Sequence, residues 1–325
     1  MRYPFAATLF AFVLLTACSR ANSNATAAPA QPENQAAAQQ PSLPSAANVE
    51  PIARINGERV MQYTREIVAL GPRWLNNPAH HKVEQYILDH LKGIDVEQDK
   101  FVQQTSEGPF PMNNIVAKFP GTKDGIIVLA SHYETNYWLR DTSFVGADDG
   151  ASTSALLLEI ANKLRGRKLD GYSVWLVWDD GEESMKQQWN TEDALFGTRH
   201  LAQKWQQDGT AKKIKALMVL DMIGYKDLDI LREEHSAPWL EDLLYQAASK
   251  FGYQSHFFNQ KASVEDDHLP FAKVGIPVAD IIIGPYGYND SYHHTTEDTI
   301  DKLSARSLQI VGDTVMQTIA MMNQR

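Results

Sequence analysis

The sequence predicts an α/β fold, in which a mostly parallel, twisted central sheet carries helices on both faces within a single domain. Two observations lead to this prediction. Apolar runs rich in β-branched and aromatic residues occur at 126–130, 173–178 and 216–220, and such runs are typical of strands buried in a parallel sheet. Segments with apolar residues at helical spacing alternate with these runs, which is the pattern of a parallel sheet covered by helices on both sides.

Two helices are predicted to begin the domain, at residues 56–70 and 78–91, with the helix-breaking Pro72 between them. The alternating residues at 96–103 and 114–119 favour two antiparallel strands at the edge of the sheet. From there strands alternate with helices to the end of the chain. The predicted strands are 126–130, 173–178, 216–220 and 277–283, and the predicted helices are 152–164, 193–206, 237–251 and 304–322.

Residues 1–18 are predicted to be a lipoprotein signal peptide. Arg2 precedes an apolar stretch at 5–15 that is too short to span a membrane as a stable helix. The sequence Leu15-Thr16-Ala17-Cys18 resembles a bacterial lipobox, whose cysteine is lipidated and becomes the new N-terminus; an ordinary signal peptide with an incidental cysteine is the alternative. Cys18 is the only cysteine among 325 residues, so no intramolecular disulfide and no other catalytic thiol is available.

Residues 19–48 are predicted to be a disordered tether to a catalytic domain at 49–325, because they contain almost no large apolar side chains. The formal net charge of −10 argues against nucleic acid as a partner. The lipid on Cys18 is the only expected contact with a membrane. The expected location is the bacterial cell envelope, in the outer membrane facing the periplasm, since Ser19 rather than aspartate follows Cys18, as in Gram-negative sorting rules. A monomer is favoured.

Five separate segments carry metal-binding residue types at the ends of predicted strands or in turns. Ligand sites of open α/β sheets lie outside the carboxyl ends of the strands, so these side chains are expected to gather there. Two histidines among several carboxylates, with no cysteine nearby, suit zinc held by nitrogen and oxygen ligands. The segments are 131–134, 146–150, 180–183, 220–222 and 293–298.

The residues of these segments have different expected tasks. Asp149 lies in a glycine-flanked turn directly before a helix, where a helix cap is the alternative. Glu182 and Glu183 are neighbours whose side chains diverge, so one can bind metal while the other carries protons with a pKa raised by burial; a solvated acidic loop is the alternative. His294 is a candidate zinc ligand, and one of His293 and His294 is expected only to form a wall of the pocket.

His132 and Asp221 both follow buried strands. A lone histidine there is more often a hydrogen-bonded core residue, and a buried carboxylate is costly unless a cation or metal lies nearby. Asp267, in the acidic segment 265–271, is expected to hydrogen-bond a catalytic carboxylate or a substrate amine. Its neighbours Asp266 and His268 are expected to cap the turn and to pack, respectively.

In this order, the five segments resemble those of the zinc aminopeptidase family that also contains the animal-type glutaminyl-peptide cyclotransferases. The similarity covers about residues 50–325, and the combination is far more specific than any one segment. The resemblance implies that Asp149, Glu183 and His294 hold zinc in both branches of the family. It also implies that Glu182 is the general acid and base.

The resemblance further implies one zinc (Zn²⁺) in a cyclase and two in an aminopeptidase, where His132 and Asp221 complete the second site. Residues 189–202 resemble the cyclase loop, in which a tryptophan is followed by an acidic residue and then by a leucine–aromatic–glycine run. Residues 266–271 also resemble the cyclase form. Trp189 would then belong to a small aromatic pocket for a glutamine side chain; an anchor that holds the loop is the alternative.

Three features depart from the family pattern. His293 stands where cyclases tend to have tryptophan directly before the ligand histidine. Glu134 stands where aspartate is usual, and the spacing from Glu183 to Trp189 is one residue longer than expected. These departures concern the shape of the pocket and not the three zinc ligands.

The leading expectation is a zinc-dependent glutaminyl-peptide cyclotransferase, which converts N-terminal glutamine to pyroglutamate and releases ammonia. Glu182 would move the proton of the α-amine to the departing ammonia, while Asp221 and Asp267 hold the amine and Glu182 in place. The alternative is a di-zinc aminopeptidase in which Glu182 activates a water against the first peptide bond. A catalytically inactive envelope protein that binds peptides or muropeptides is the third hypothesis. Peptide or protein N-termini are the expected substrates of either enzyme.

Overall fold

The computed structural model describes residues 49–324, which form eight strands and seven α-helices. The strands are β1 (Asp95–Thr105), β2 (Gly108–Phe119), β3 (Gly121–His132), β4 (Leu169–Asp179), β5 (Ile214–Asp221), β6 (Ile230–Glu233), β7 (Phe257–Ala262) and β8 (Val278–Ile282). The helices are α1 (Gly57–Val68), α2 (Pro78–His90), α3 (Thr153–Leu164), α4 (Phe196–Asp208), α5 (Pro238–Lys250), α6 (His268–Lys273) and α7 (Ala305–Met322).

Six strands form the central sheet, in the order β1-β2-β4-β3-β5-β8. The pairs β4–β3, β3–β5 and β5–β8 are parallel, whereas β1 and β2 form an antiparallel hairpin at one edge and β2 pairs antiparallel with β4. This arrangement confirms the predicted antiparallel strands at the edge of a mostly parallel sheet. Both hairpin strands are longer than predicted, because they pair without interruption from Asp95–Lys118 to Thr105–Gly108.

Helices cover both faces of the sheet, as predicted. Successive residues of a strand point to opposite faces. In β3, Ile127 and Leu129 therefore join the core shared with α1, α2, α3, α5 and α7, while Val128 faces the smaller core. Helices α4 and α6 form that smaller core, with Trp205 of α4 packed on Phe271 of α6. The predicted α/β fold class is confirmed.

Three short elements were not predicted, namely β6, β7 and α6. Strands β6 and β7 have four and six residues and pair with each other in a separate parallel ribbon. Much of β7 is polar and exposed, so it lacks the apolar run by which the other strands were recognised. The predicted helix at 193–206 begins only at Phe196, because Leu195 has a left-handed backbone conformation with φ of 54°.

The predicted signal peptide at 1–18, the lipidation of Cys18 and the tether at 19–48 lie outside the described residues. Within residues 49–324, no helix is both long and apolar enough to cross a membrane.

Candidate active site

A cavity of about 360 Å³ opens at the carboxyl edge of the central sheet. Its walls come from the segments that follow β3, β4, β5 and β8, the edge where ligand sites of open α/β sheets are expected. Most of the predicted site residues line this cavity, together with side chains of the surrounding loops. The lining residues include Asn136, Trp138, Asp149, Glu182, Glu183, Trp189, Asp221, Glu265, Asp266, His293 and His294.

Three predicted zinc ligands meet at one side of the cavity, and we call Asp149, Glu183 and His294 the ligand cluster. His294 Nε2 lies 3.5 Å from Asp149 Oδ2 and 3.2 Å from Glu183 Oε1. Both of these carboxylate oxygens are buried and accept no hydrogen bond. Buried acceptors without a donor are costly, and a cation relieves that cost. One imidazole nitrogen and two carboxylate oxygens suit zinc, so the residues present fit this metal.

A second group of possible ligands shares Asp149 with the ligand cluster. His132 Nε2 lies 3.2 Å from Asp149 Oδ1 and 3.3 Å from Asp221 Oδ1. Burial opposes protonation of His132, but its hydrogen bonds to Asp149 and Asp221 raise its pKa well above the usual value. The group can therefore act as a hydrogen-bonded bridge through a protonated imidazole, or as a second cation site through a neutral one.

Two glycines shape the backbone around Asp149. Gly146 has φ of +49° and Gly150 has φ of +80°, and residues other than glycine rarely adopt such positive values. A Cβ at Gly146 would collide with the carbonyl oxygen of Asp149, and one at Gly150 would lie 2.9 Å from Cε1 of His132. The glycines seen in the sequence therefore serve close packing as well as the sharp turn.

Arg73 holds the loop that carries Asp149, and sequence reasoning missed it. Its guanidinium is buried and donates to the carbonyl oxygens of Tyr133 at 2.8 Å, Gly146 at 2.8 Å and Asp149 at 2.7 Å, and also to that of Val145. No pattern in the sequence marks this arginine as a partner of a loop about 70 residues away.

Asp298 holds the same loop through its backbone amides. Its carboxylate accepts hydrogen bonds from the backbone amides of Asp148 at 2.9 Å and Asp149 at 3.2 Å, and from the hydroxyl of Tyr286 at 2.6 Å. Burial, and then the charge of Asp149, raises the pKa of Asp298 to about 6. The last of the five segments thus contributes a loop anchor as well as a candidate ligand.

Glu182 and Glu183 point in different directions, as adjacent side chains at a strand end should. Glu183 accepts a hydrogen bond from Nδ2 of Asn136 and faces His294. Burial raises the pKa of Glu183 to about 7 despite the opposing charge of His294. Glu182 lies on the cavity wall, and burial together with the charge of Glu183 raises its pKa well above the usual value. Glu182 is therefore a buried carboxyl suited to carrying a proton.

The expectation for Asp267 needs correction, because Asp266 lines the cavity instead. Asp267 Oδ1 accepts a 2.7 Å hydrogen bond from Oγ1 of Thr198, and its carboxyl also bonds to Asp179 behind the cavity wall. Burial, and then the charge of Asp221, raises the pKa of Asp266 to about 6. The two aspartates directly precede α6, so their side chains leave the chain on different sides, and local sequence does not say which one faces inward.

Aromatic and imidazole rings form part of the remaining cavity wall. Trp189 lines the cavity and donates its indole N–H to Oε2 of Glu265 at 2.7 Å. The ring of His293 lies 3.9 Å from that of His294. Trp138 lies edge-on to His294 at 6.1 Å and was not predicted. The long stretch between the predicted strand at 126–130 and the predicted helix at 152–164 was the only sign in the sequence of a functional loop here.

Comparisons with known proteins agree with one another. The sequence profile of peptidase family M28 matches residues 114–319. A glutaminyl cyclase of known structure from an Acidobacteriales bacterium is 51% identical, with a TM-score of 0.82 over 90% of this chain and 100% of that one. The glutaminyl cyclase of Porphyromonas gingivalis is 28% identical, with a TM-score of 0.73 over 82% of this chain and 98% of that one. The glutaminyl-peptide cyclotransferase of Drosophila melanogaster is 28% identical over 270 residues, which cover 74% of this chain and 75% of that protein.

Proposed function

Because the chain belongs to peptidase family M28, we propose that it is a zinc-dependent glutaminyl-peptide cyclotransferase, like the glutaminyl cyclases it resembles. It would convert the N-terminal glutamine of a peptide or protein to pyroglutamate and release ammonia. The observation that carries the proposal is that the buried carboxyl group of Glu182, whose pKa is raised by burial, shares one cavity with the ligand cluster. The aromatic walls at Trp138 and Trp189 suit the uncharged side chain of glutamine.

Asp149, Glu183 and His294 would hold the zinc ion. When bound, zinc supplies a Lewis acid that polarises the γ-carboxamide oxygen of the substrate. Arg73 and Asp298 would keep the backbone of Asp149 fixed while metal enters.

The carboxylates of the cavity would carry out the proton transfers. The substrate's α-amine nitrogen forms a bond to its own γ-carbon, and the bond from that carbon to the amide nitrogen breaks. Because both groups belong to one residue, the attack is intramolecular and strongly favoured once they are aligned. Glu182 takes a proton from the amine and gives it to the leaving nitrogen, which departs as ammonia. Asp221 and Asp266 line the same cavity and would hold the amine toward Glu182.

A di-zinc aminopeptidase is the second candidate function. It is favoured by the group of His132, Asp149 and Asp221, whose ligand atoms could hold a second ion. Glu182 would then take a proton from the water that attacks the first peptide bond. The two reactions differ in the nucleophile, so their products separate them.

The decisive experiment is mass spectrometry of a peptide with N-terminal glutamine, incubated with the zinc-loaded full-length chain. We expect the peptide to lose one ammonia with its peptide bonds intact, and Glu182→Gln to abolish this product while the protein keeps its zinc. Glu192→Gln is the matched control, because Glu192 is 92% exposed on a neighbouring loop. Release of the whole first residue would establish the aminopeptidase, and an unchanged peptide would contradict both enzymes.

We also propose that Cys18 is lipidated, and that residues 19–48 tether the catalytic domain at 49–325 to the bacterial outer membrane on its periplasmic side. The lipobox-like sequence before Cys18 supports this proposal. The test is the distribution between membrane and soluble fractions of the full-length chain and of Cys18→Ala. We expect the variant to leave the membrane fraction, and equal distributions would contradict the anchor. Light scattering is expected to show a monomer.

A further inference from the structure

One carboxylate, that of Glu265, links the loop that carries Trp189 to a distant segment of the chain that also lines the cavity. Glu265 Oε2 accepts a 2.7 Å hydrogen bond from the indole N–H of Trp189 and a 2.6 Å hydrogen bond from the hydroxyl of Thr191. These donors lie 76 and 74 residues away in the sequence. We call residues 184–194 the Trp189 loop; its tip is therefore joined to the 263–266 segment by tertiary contacts alone.

The base of the Trp189 loop is held by its own backbone. The amide of Leu195 donates to the carbonyl oxygen of Glu182 at 2.7 Å, and the amide of Met185 donates to that of Asp193 at 3.1 Å. The residues at 186–188 between these bonds are exposed. The backbone bonds thus close the loop near Glu182, and the two bonds to Glu265 determine where its tip lies.

The hydrogen bond between Glu265 and Trp189 lies at the wall of the substrate cavity. Glu265 and Trp189 both line the cavity, so the bond between them runs along its wall, and Asp266 lies in the adjacent position. The hydrogen bonds from Thr191 and Trp189 hold the pKa of Glu265 below its usual value. Glu265 is therefore ionised at neutral pH, and hydrogen bonds to an ionised acceptor are stronger than those between neutral groups.

We infer that Glu265 is a positioning residue that holds Trp189 against the substrate cavity, so that the pocket wall is formed before the peptide binds. This inference rests on the proposed function. A wall formed in advance spares the substrate the entropic cost of ordering the loop. Loss of the bond therefore weakens substrate binding more than it slows the chemistry at Glu182, which is held separately by the loop base.

Steady-state kinetics on a peptide with N-terminal glutamine test this separation, using the zinc-loaded full-length chain. Glu265→Ala is expected to raise KM about fivefold, the size expected for a lost hydrogen bond to a charged group near the surface, with kcat changed less than about twofold. Glu265→Gln keeps a carbonyl oxygen as acceptor, so its KM is expected to lie close to that of the wild type. Glu192→Gln removes a charge from the same loop without touching Trp189 and is expected to behave as wild type.

Hydrogen exchange of the Trp189 loop gives a readout that does not depend on activity. Faster exchange at 185–194 is expected in Glu265→Ala, with the wild-type rate in Glu265→Gln and Glu192→Gln. If the wild type fails to cyclise glutamine, the proposed function falls while hydrogen exchange still tests the role of Glu265. Unchanged exchange in Glu265→Ala overturns the inference, as does a fall in kcat at constant KM or an equal effect of Glu192→Gln.

Discussion

Arg73 donates a 2.7 Å hydrogen bond from Nη2 to the carbonyl oxygen of Asp149, 76 residues further along the chain. The same guanidinium is fully buried and binds three other backbone carbonyls of the loop that leads to Asp149. Burial lowers the pKa of Arg73 to about 10, against the opposing effect of nearby carboxylates, so it remains charged at neutral pH. One side chain therefore supplies both the hydrogen bonds and a positive charge that interacts with Asp149 and Glu183 of the ligand cluster.

Arg73→Lys is expected to destabilise the fold by about 3 kcal/mol, because an ammonium cannot reproduce the planar fork and leaves buried carbonyls without donors. Denaturant unfolding of the zinc-loaded protein measures this loss. Arg165→Lys is the control, since Arg165 also donates to backbone carbonyls, those of His90 and Lys92, but is exposed. We expect the control to change stability by less than about 0.5 kcal/mol. Equal losses of unfolding free energy in the two variants would contradict this role of Arg73.

The zinc content of two histidine variants should differ. His294 contacts both other members of the ligand cluster, so His294→Ala is expected to lose the metal on dialysis. His132→Ala is expected to keep one zinc per chain, because it leaves that cluster intact. Metal analysis measures both. Two zinc ions in the wild type, one of them lost in His132→Ala, would instead support the aminopeptidase.

Bound zinc should also stabilise the fold. The ligand cluster assembles only in the folded chain, so a chelator is expected to lower the thermal midpoint, and added zinc is expected to restore it. The midpoint falls because removal of zinc leaves the carboxylates of buried Asp149 and Glu183 without a neutralising cation. A midpoint that does not respond to chelator would contradict a zinc site at this cluster.

Asp266 and Asp267 should respond differently to the same substitution. Asp266→Asn removes a carboxylate from the cavity wall and is expected to lower kcat about 100-fold. Burial raises the pKa of Asp267 well above its usual value, and an amide of the same shape keeps the acceptor for the hydroxyl of Thr198. Asp267→Asn is therefore expected to stay within a few-fold of wild type in a steady-state assay. If Asp267→Asn lowered kcat more than Asp266→Asn does, the catalytic role would belong to Asp267.

His80 should make stability depend on pH. Its Nε2 lies 2.8 Å from Oδ1 of buried Asp180, and its ring stacks on Tyr133. Burial opposes protonation of His80, but the charge of Asp180, the hydrogen bond to it and the charges of Glu134 and Glu84 together raise the pKa above 6.5. The resulting stabilisation is fully present below 6.5 and is lost as pH rises through the folded-state pKa.

The matching experiment compares wild type with His80→Gln by denaturant unfolding. The difference in unfolding free energy is expected to be larger at about pH 6 than at about pH 9, because only a protonated His80 forms an ion pair with Asp180. A difference that is constant with pH, or that grows at high pH, would contradict the assignment.

The sequence was sufficient for the central sheet and most of the longer helices, because the signals that predict them are local. The boundaries of α1, α2, α3, α5 and α7 lie within two residues of those predicted, because the apolar periodicity that predicted them depends only on neighbouring residues. Five of the six strands of the central sheet were predicted too short, whereas the strand predicted at 277–283 is slightly shorter in the structure, at Val278–Ile282. The five strands have ends that are more polar than their centres, so the apolar runs mark only the middle of each.

Local sequence patterns did not predict which of two neighbouring residues lines the cavity. Asp266 and Asp267 are chemically identical, and only the start of α6 and the positions of Asp179 and Thr198 decide which one faces the cavity. Trp189 was identified, but its partner Glu265 was not, because their contact depends on how two distant loops pack.

The sequence by itself determined the α/β architecture and the gathering of five polar segments at one edge of the sheet, because strand patterns are local and parallel strands end at a common edge. Only the tertiary structure decided how the site is held. Arg73 meets the Asp149 loop, Asp298 caps it and Glu265 binds Trp189 across separations of 72 to 150 residues. Such contacts depend on the packing of whole elements, and no local pattern of residues encodes them.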